Sequence, residues 1–410
     1  MARSLDPIDD PQQIRQADAG LLARALAAQR ECTLRLFDAV RAALGPQLEI
    51  RYGDELNPPL WELGHVGWFE EFWIARNSER LRGTAARLEA ARAAPLLAGA
   101  DALYNSSHVP HARRWHLDLP SAKRTLDTLA RVRERTLALL AAGGADDDAL
   151  YFFRLALMHE AMHVEADTMI AQVLALDVRG ALADTGPAAA AVGGELDVPA
   201  AALTVGSDDA GFHFDNEFGA HQVDVPALRI DSAPVTWGAY LPFIAAGGYD
   251  EPRWWSSAGW AWRRHALPSG LPRYVARGDD GSLRRASFDT WTAIDPAQPA
   301  VNLSQHEAQA WCAWAGRRLP TEFEWLHART HAGEAFAWGQ VWEWTASPFG
   351  PWPGFRPHPY RDYSQPWFDG RPVLKGGSFA TPACMQHPRY RNFFSAGRND
   401  VFAGFRSCAL

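Results

Sequence analysis

Residues 151–176 read YFFRLALMHEAMHVEADTMIAQVLAL, and two histidines within this stretch decide the architecture of the N-terminal half. His159 and His163 are four residues apart in a run with helical periodicity, so both project from one face. Phe152, Leu155, Ala166 and Ile170 share that face, the stripe a helical bundle turns inward. An inward imidazole pair is costly unless something satisfies it, and a metal ion would do so. A second periodic run, LWELGHVGWFEEFWIARN, places Trp61, His65, Trp68 and Phe72 on one face, so His65 also points inward. Three imidazoles from two facing helices can hold one ion and leave coordination positions open. The competing reading is a set of hydrogen-bonded core histidines.

Two further periodic runs complete a four-helix bundle. One covers Ala19 to Leu44, with Leu22, Leu26, Phe37 and Val40 recurring, and one runs from a capping Ser121 to Leu140 and stops at Gly143 and Gly144. Pro58 and Pro59 open the His65 segment. An excursion of about forty residues separates the second helix from the third, a length that in a compact domain carries function; Tyr104, Asn105, His108 and Arg113 within it could touch a substrate. The expected organisation is a helical domain over residues 1–177, an Ala/Gly/Pro-rich linker over 178–200, and a second domain over 201–410. Short β-prone pieces (LTVGS, HQVDVPALRI, VLKGGSF) and one helix at SQHEAQAWCAWAG make that second domain irregular, so the fold class is α+β with two domains.

Composition narrows the function classes. The 410 residues are 47% hydrophobic and carry a net charge of -8 without a Lys/Arg-rich arm, which argues against nucleic-acid and anionic-membrane partners and for small molecules. No apolar run reaches spanning length and the start MARSLDPIDDPQQ is acidic, so the expected location is the cytoplasm. Cys32, Cys312, Cys384 and Cys408 lack CxxC spacing and form neither a disulfide framework nor a thiolate metal site. Of 18 tryptophans most lie beyond residue 200, chiefly as core filler in a loop-rich domain. Ligand type alone leaves zinc, iron, copper and nickel open. Glu160 makes HEAMH look like a zincin motif without the context a metalloprotease needs, and Glu165 and Asp167 read as carboxylates at the surface or behind the ligands.

At this point the motifs carry a likeness. LWELGHVGWFEEFW and LALMHEAMHVEA resemble the DinB-like metal-binding bundle of the ergothioneine-type sulfoxide synthases. PVTWGAY, GGYDEPRWWSSAGWAW, AWCAWAGRRLPTEFEW, WGQVWEWTASPF, VLKGGSFATP and RYRNFF with GFR resemble the formylglycine-generating-enzyme or sulfatase-modifying fold, related to C-type lectins. Within that superfamily, ELNPPLWELGHVGWFEEFWIARN and GADALYNSSHVPHARRW look most like selenoneine synthases, which join hercynine to a selenosugar.

The resemblance implies a non-haem Fe(II) held by His65, His159 and His163, with O2 as co-substrate. Redox-inert zinc could not drive coupling at imidazole C2, which independently favours iron. By the same resemblance, Asn392 and Phe393 hold hercynine, with Arg398 nearby and Met162 where relatives often carry Gln. The trimethylammonium group needs aromatic faces, which a Trp-rich domain offers. Phe394 stands where synthases using γ-glutamylcysteine tend to have an acid, which leaves the ammonium of a peptide thiol without a partner and favours a neutral sugar. Tyr360 and Tyr363 are the candidates for the tyrosine that these enzymes place near the iron, with a packing role as the alternative. Arg317 and Arg318 match a structural signature in which Arg and Glu pair to hold a loop. A lone Cys384 after GGS, in place of a close cysteine pair, disfavours formylglycine generation. The nearest alternative is a sulfoxide synthase acting on γ-glutamylcysteine or cysteine; more distant ones are a zinc-dependent DinB-type thiol transferase and a lectin-like binder.

Overall fold

The computed structural model describes residues 6–190 and 193–410. Residues 1–5 of the acidic start and residues 191–192 of the expected linker lie outside the described residues. Four long helices, Ala19–Leu44, Pro59–Glu70, Ala122–Ala141 and Asp147–Val173, form the N-terminal bundle. Their starts follow local chemistry: Asp18, Ser121 and Asp146 accept backbone N–H groups of the first turn, and the second helix opens on Pro59. The second helix then widens into a π turn at Glu71–Ala75. Leu22, Leu26, Phe37, Val40, Trp61, Phe152 and Leu155 are all buried, as the periodicity requires.

The excursion after the second helix folds back on it. Its short helix Ala100–Tyr104 lies against the His65 segment, and Trp61 Nε1 donates to the Leu103 carbonyl at 2.8 Å. This approach depends on Gly64, where a Cβ would come within 2.3 Å of the Tyr104 ring.

The C-terminal half contains two four-stranded sheets, one three-stranded sheet and one two-stranded pair among the described residues. One four-stranded sheet runs Glu195–Val198, Leu228–Asp231, Cys408–Ala409, Arg317–Arg318; the other runs Asn392–Phe393, Pro372–Lys375, Trp342–Pro348, Ala403–Gly404. Glu195–Val198 falls inside the span read as linker. It pairs with Leu228–Asp231 because Leu196 and Val198 alternate toward the cluster around Trp325 and Phe336, and residues 178–181 include a 3-10 turn at Arg179–Ala181. Ser304 caps the helix Gln305–Ala315 through a reciprocal bond with Glu307, and Gly316, at φ 66°, ends it. Arg318 pairs with Glu324 at 2.7 Å, and Arg317 reaches Glu195 and Asp231, so both arginines hold structure. Trp237, Trp325, Trp342 and Trp344 are fully buried, whereas Trp254, Trp260, Trp262 and Trp314 are half-buried.

One apolar core runs through both halves. Glu165 Oε1 accepts bonds from Trp342 Nε1 (2.8 Å), Ser378 Oγ (2.7 Å) and Thr381 Oγ1 (2.5 Å). Glu165 is therefore buried in the joint between the halves rather than at the surface or behind a histidine. Two residues beyond His163 is roughly 200° around a helix, which turns it toward the other domain. Gly376 and Gly377, at φ 98° and 125°, shape the turn that delivers Ser378. Arg15 and Glu217 form a second joint, a buried pair at 2.6 Å. All four cysteines are free, and no helix among the described residues is long and apolar enough to cross a membrane.

Candidate metal centre

His65 from the second helix and His159 and His163 from the fourth converge as the two faces predict. One ring nitrogen from each lies within 4.8 Å of the others. His159 and His163 approach most closely, with their Nε2 atoms 3.2 Å apart. Two nitrogens bound to one ion at about 2.1 Å sit roughly 3.0 Å apart at a right angle and roughly 3.4 Å apart at a tetrahedral angle, so this spacing suits neighbouring ligands.

Hydrogen bonds on the far side of two rings settle which nitrogen faces the centre. His65 Nδ1 lies 2.7 Å from the Tyr104 carbonyl, to which it donates, and His163 Nδ1 lies 2.5 Å from Glu62 Oε2. Both rings then direct an Nε2 lone pair at the common point, the tautomer a metal needs. Burial, with His163 close by, pushes the His65 imidazole down to about 3, and burial also holds His159 well below the ordinary range. Both are neutral at physiological pH and free to ligate. Burial opposes charge on Glu62, but His163 holds its carboxyl below the usual range. Asp167 sits near Glu62; burial, reinforced by that charge, raises it well above the usual range. The donor set fits a divalent metal with open positions.

Aromatic rings wall the site. Phe69 stacks on His159 with centroids 3.5 Å apart, and Trp61 stacks on His65 at 4.8 Å. Tyr360, from the second domain, stands edge-on to His159 at 6.2 Å and to Phe69 at 5.0 Å. Tyr363 lies one ring further away: its ring is 6.2 Å from Tyr360 and stacks on Phe214 at 4.3 Å. Burial raises both hydroxyls, so both remain protonated at neutral pH.

The other candidate residues are dispersed. Phe393 stacks on Phe349 at 4.1 Å and meets the edge of Tyr363 at 6.2 Å, and Asn392, beside it in the same short strand, accepts the Phe393 N–H through its own Oδ1 at 2.8 Å. Arg398 pairs with Asp400 at 2.5 Å and lies over the Phe394 ring, which occupies its charge within its own segment. Met162 is half-buried against the apolar core beside His163. Of the excursion residues, Asn105 and His108 line a cleft, Tyr104 supports His65 through its backbone, and Arg113 is exposed. Glu160 faces away from the histidines, bound by Arg30, Arg133 and Thr33, which removes it from any zincin role.

The cleft measures about 510 Å³ and opens beside Phe69 and Tyr360. Trp68, Phe72 and Trp73 provide apolar walls; Asn105, Ser106, Ser107 and His108 provide polar groups. Its arginines are already matched: Asp101 holds Arg76 through two bonds at 2.7 and 2.8 Å and Arg361 lies 3.5 Å from Glu89, whereas Asp362 is bonded by the Ser107 hydroxyl and has no cationic partner among the described residues. Sequence reasoning missed Glu62, whose signal was its place three residues before His65, and Asp362, which no local pattern marks.

Comparison with known proteins agrees with this layout. Residues 25–166 match the DinB superfamily, and residues 183–340 and 337–409 match the sulfatase-modifying factor enzyme 1-like domain. The hercynine oxygenase of Mycolicibacterium thermoresistibile is 34% identical over 94% of this chain and 94% of its own length. The hercynine oxygenase of Mycolicibacterium smegmatis is also 34% identical, covering 94% of this chain and 97% of its own. The chain belongs to the hercynine oxygenase family. Members of that family are oxygen-dependent oxidoreductases, and the three-histidine centre lies within the DinB segment of this one. The formylglycine-generating enzyme of Streptomyces coelicolor is 32% identical over only 39% of this chain, a share too small to span both the bundle and the second domain.

Proposed function

We propose that the chain binds Fe(II) at His65, His159 and His163 and uses O2 to couple hercynine to a small neutral chalcogen donor, a selenosugar in preference to γ-glutamylcysteine. The observation that carries the donor preference is the cleft beside Tyr360, in which every cationic side chain is already paired with a carboxylate. The two carboxylates of a peptide thiol would find no free cation there, whereas a sugar can stack on Trp68 or Phe72 and bond to Asn105, Ser106 and His108. Phe394, in place of an acid, supports the same preference.

Iron, when bound, would supply the redox chemistry with oxygen that a carbon–selenium bond at the imidazole ring requires. The chain's own residues position the partners. Phe69 and Trp61 hold the ligand rings, Glu62 and Tyr104 hold their tautomers, and Tyr360 presents a protonated hydroxyl from the facing domain. Asn392 and Phe393 are the proposed hercynine contacts, and Tyr360 rather than Tyr363 is the proposed proton donor, since it is the ring that borders His159. The test is incubation of anaerobically iron-loaded protein with hercynine, O2 and, separately, a selenosugar, a thiosugar and γ-glutamylcysteine, read by mass spectrometry. The expected result is a hercynine–sugar conjugate with the selenosugar arm fastest. Faster turnover of γ-glutamylcysteine overturns the donor assignment, and equal product with zinc in place of iron overturns the metal assignment.

A further inference from the structure

The segment carrying Tyr360 is anchored at its far end by a carboxylate that also lies near its start. Ser364, fully buried, bonds through Oγ to Asp215, and Asn216 Nδ2 donates to the same Oγ at 3.0 Å. At the other end, the backbone N–H of His358 lies against the Asp215 carboxyl. Tyr151 adds a second tie to that end: its hydroxyl is 3.0 Å from His358 Nδ1. Tyr151 belongs to the same helix as His159, eight residues earlier, so the helix that ligates also holds the strap. Between the two ends, residues 359–363 form a short bow whose middle presents Tyr360 to His159.

Asp215 is an unusual choice for a purely structural peg. It is 2% exposed, and among the described residues its Oδ2 has no partner and no arginine or lysine pairs with it. Burial raises its pKa to about 6 despite the Ser364 bond. A buried carboxylate without a counter-charge is costly, and such cost persists where a function depends on the group. We infer that Asp215, with Ser364, is a positioning residue that sets Tyr360 at its distance from the metal centre. The inference rests on the proposed function for the meaning of that distance, but the distance itself can be measured without turnover.

The experiment places 3-fluorotyrosine at position 360 of the full chain and records its 19F resonance in the zinc-loaded and cobalt-loaded protein. Cobalt(II) is paramagnetic, accepted by histidine sites and stable in air, so the shift difference between the two forms reports how near the ring stands to the centre. In the parent protein the difference is large. In Asp215→Ala and Ser364→Ala it is expected to fall by at least half, with metal content unchanged. With iron, kcat for coupling falls at least tenfold while the KM for hercynine stays within twofold, and adding Tyr360→Phe to Asp215→Ala lowers kcat no further. If Asp215→Ala does not fold, Ser364→Ala, which removes only a hydroxyl, decides. An unchanged cobalt shift in a folded variant overturns the inference. A reduced shift with undiminished kcat leaves the positioning intact and instead overturns the role proposed for Tyr360.

Discussion

Glu160→Gln separates a stability residue from a catalytic one within HEAMH. Glu160 is 2% exposed and receives Arg30 Nε at 2.6 Å, Arg133 at 2.5 Å and Thr33 Oγ1 at 2.8 Å, while Glu70 completes the cluster through the same two guanidinium groups. Burial works against ionisation of Glu160, but the two arginines overcome it and keep its carboxyl near 2. Replacing it with an amide preserves volume and leaves one carboxylate for two buried guanidinium groups. Breaking one side of such a pair costs about 3–5 kcal/mol. With an unfolding entropy of about 2.1 cal/mol/K per residue, that lowers Tm by roughly 11 °C if the bundle melts alone and by roughly 5 °C if the chain melts as one. Differential scanning calorimetry and metal analysis by mass spectrometry read the two sides. The expected outcome is a lowered Tm with one metal still bound per chain and near-parental turnover in protein kept folded at low temperature. An unchanged Tm together with lost metal or a turnover loss above tenfold would refute the reasoning, because Glu160 would then act on the histidines.

Three other perturbations follow from the same geometry. Glu62→Gln removes the charge behind His163 and should weaken metal affinity about 10- to 100-fold, measured by competition with a chelator, with little change in fold. Gly64→Ala forces a Cβ into the Tyr104 ring and displaces the carbonyl that holds His65; the chelator assay should show metal loss before circular dichroism shows helix loss. Burial opposes charge on Glu217, yet Arg15 holds its carboxyl at about 2, against an ordinary value of 4.5. Because the folded pKa is the lower one, this pair's stabilisation is complete above about pH 4.5 and is lost as pH falls toward about 2, a change of roughly 3 kcal/mol. Urea midpoints should drop across that window in the parent and drop less in Glu217→Gln.

The helical half was legible because its signals are periodic. Spacing of four, and of four then three, put His159, His163 and His65 on buried faces, and a helix conveys such spacing directly into space. The caps at Asp18, Ser121 and Asp146 were likewise local signals. Strand Glu195–Val198 was missed because four residues within an Ala/Gly-rich run carry too little alternation to stand out, and its partner lies some thirty residues on. Glu165 was misplaced since its three donors come from Trp342, Ser378 and Thr381, far away in the chain.

Sequence alone determined the two-domain α+β plan, the three imidazoles and the family likeness, because motifs and helical periods are written in neighbouring residues. Only the tertiary structure decided between Tyr360 and Tyr363 as the ring beside His159, turned Glu160 away from the centre, and revealed a cleft whose arginines are already paired. Those outcomes depend on contacts between segments 149 and 255 residues apart, such as Asp215 with Ser364 and Ser107 with Asp362, whose formation is set by packing of the whole core and not by any local pattern.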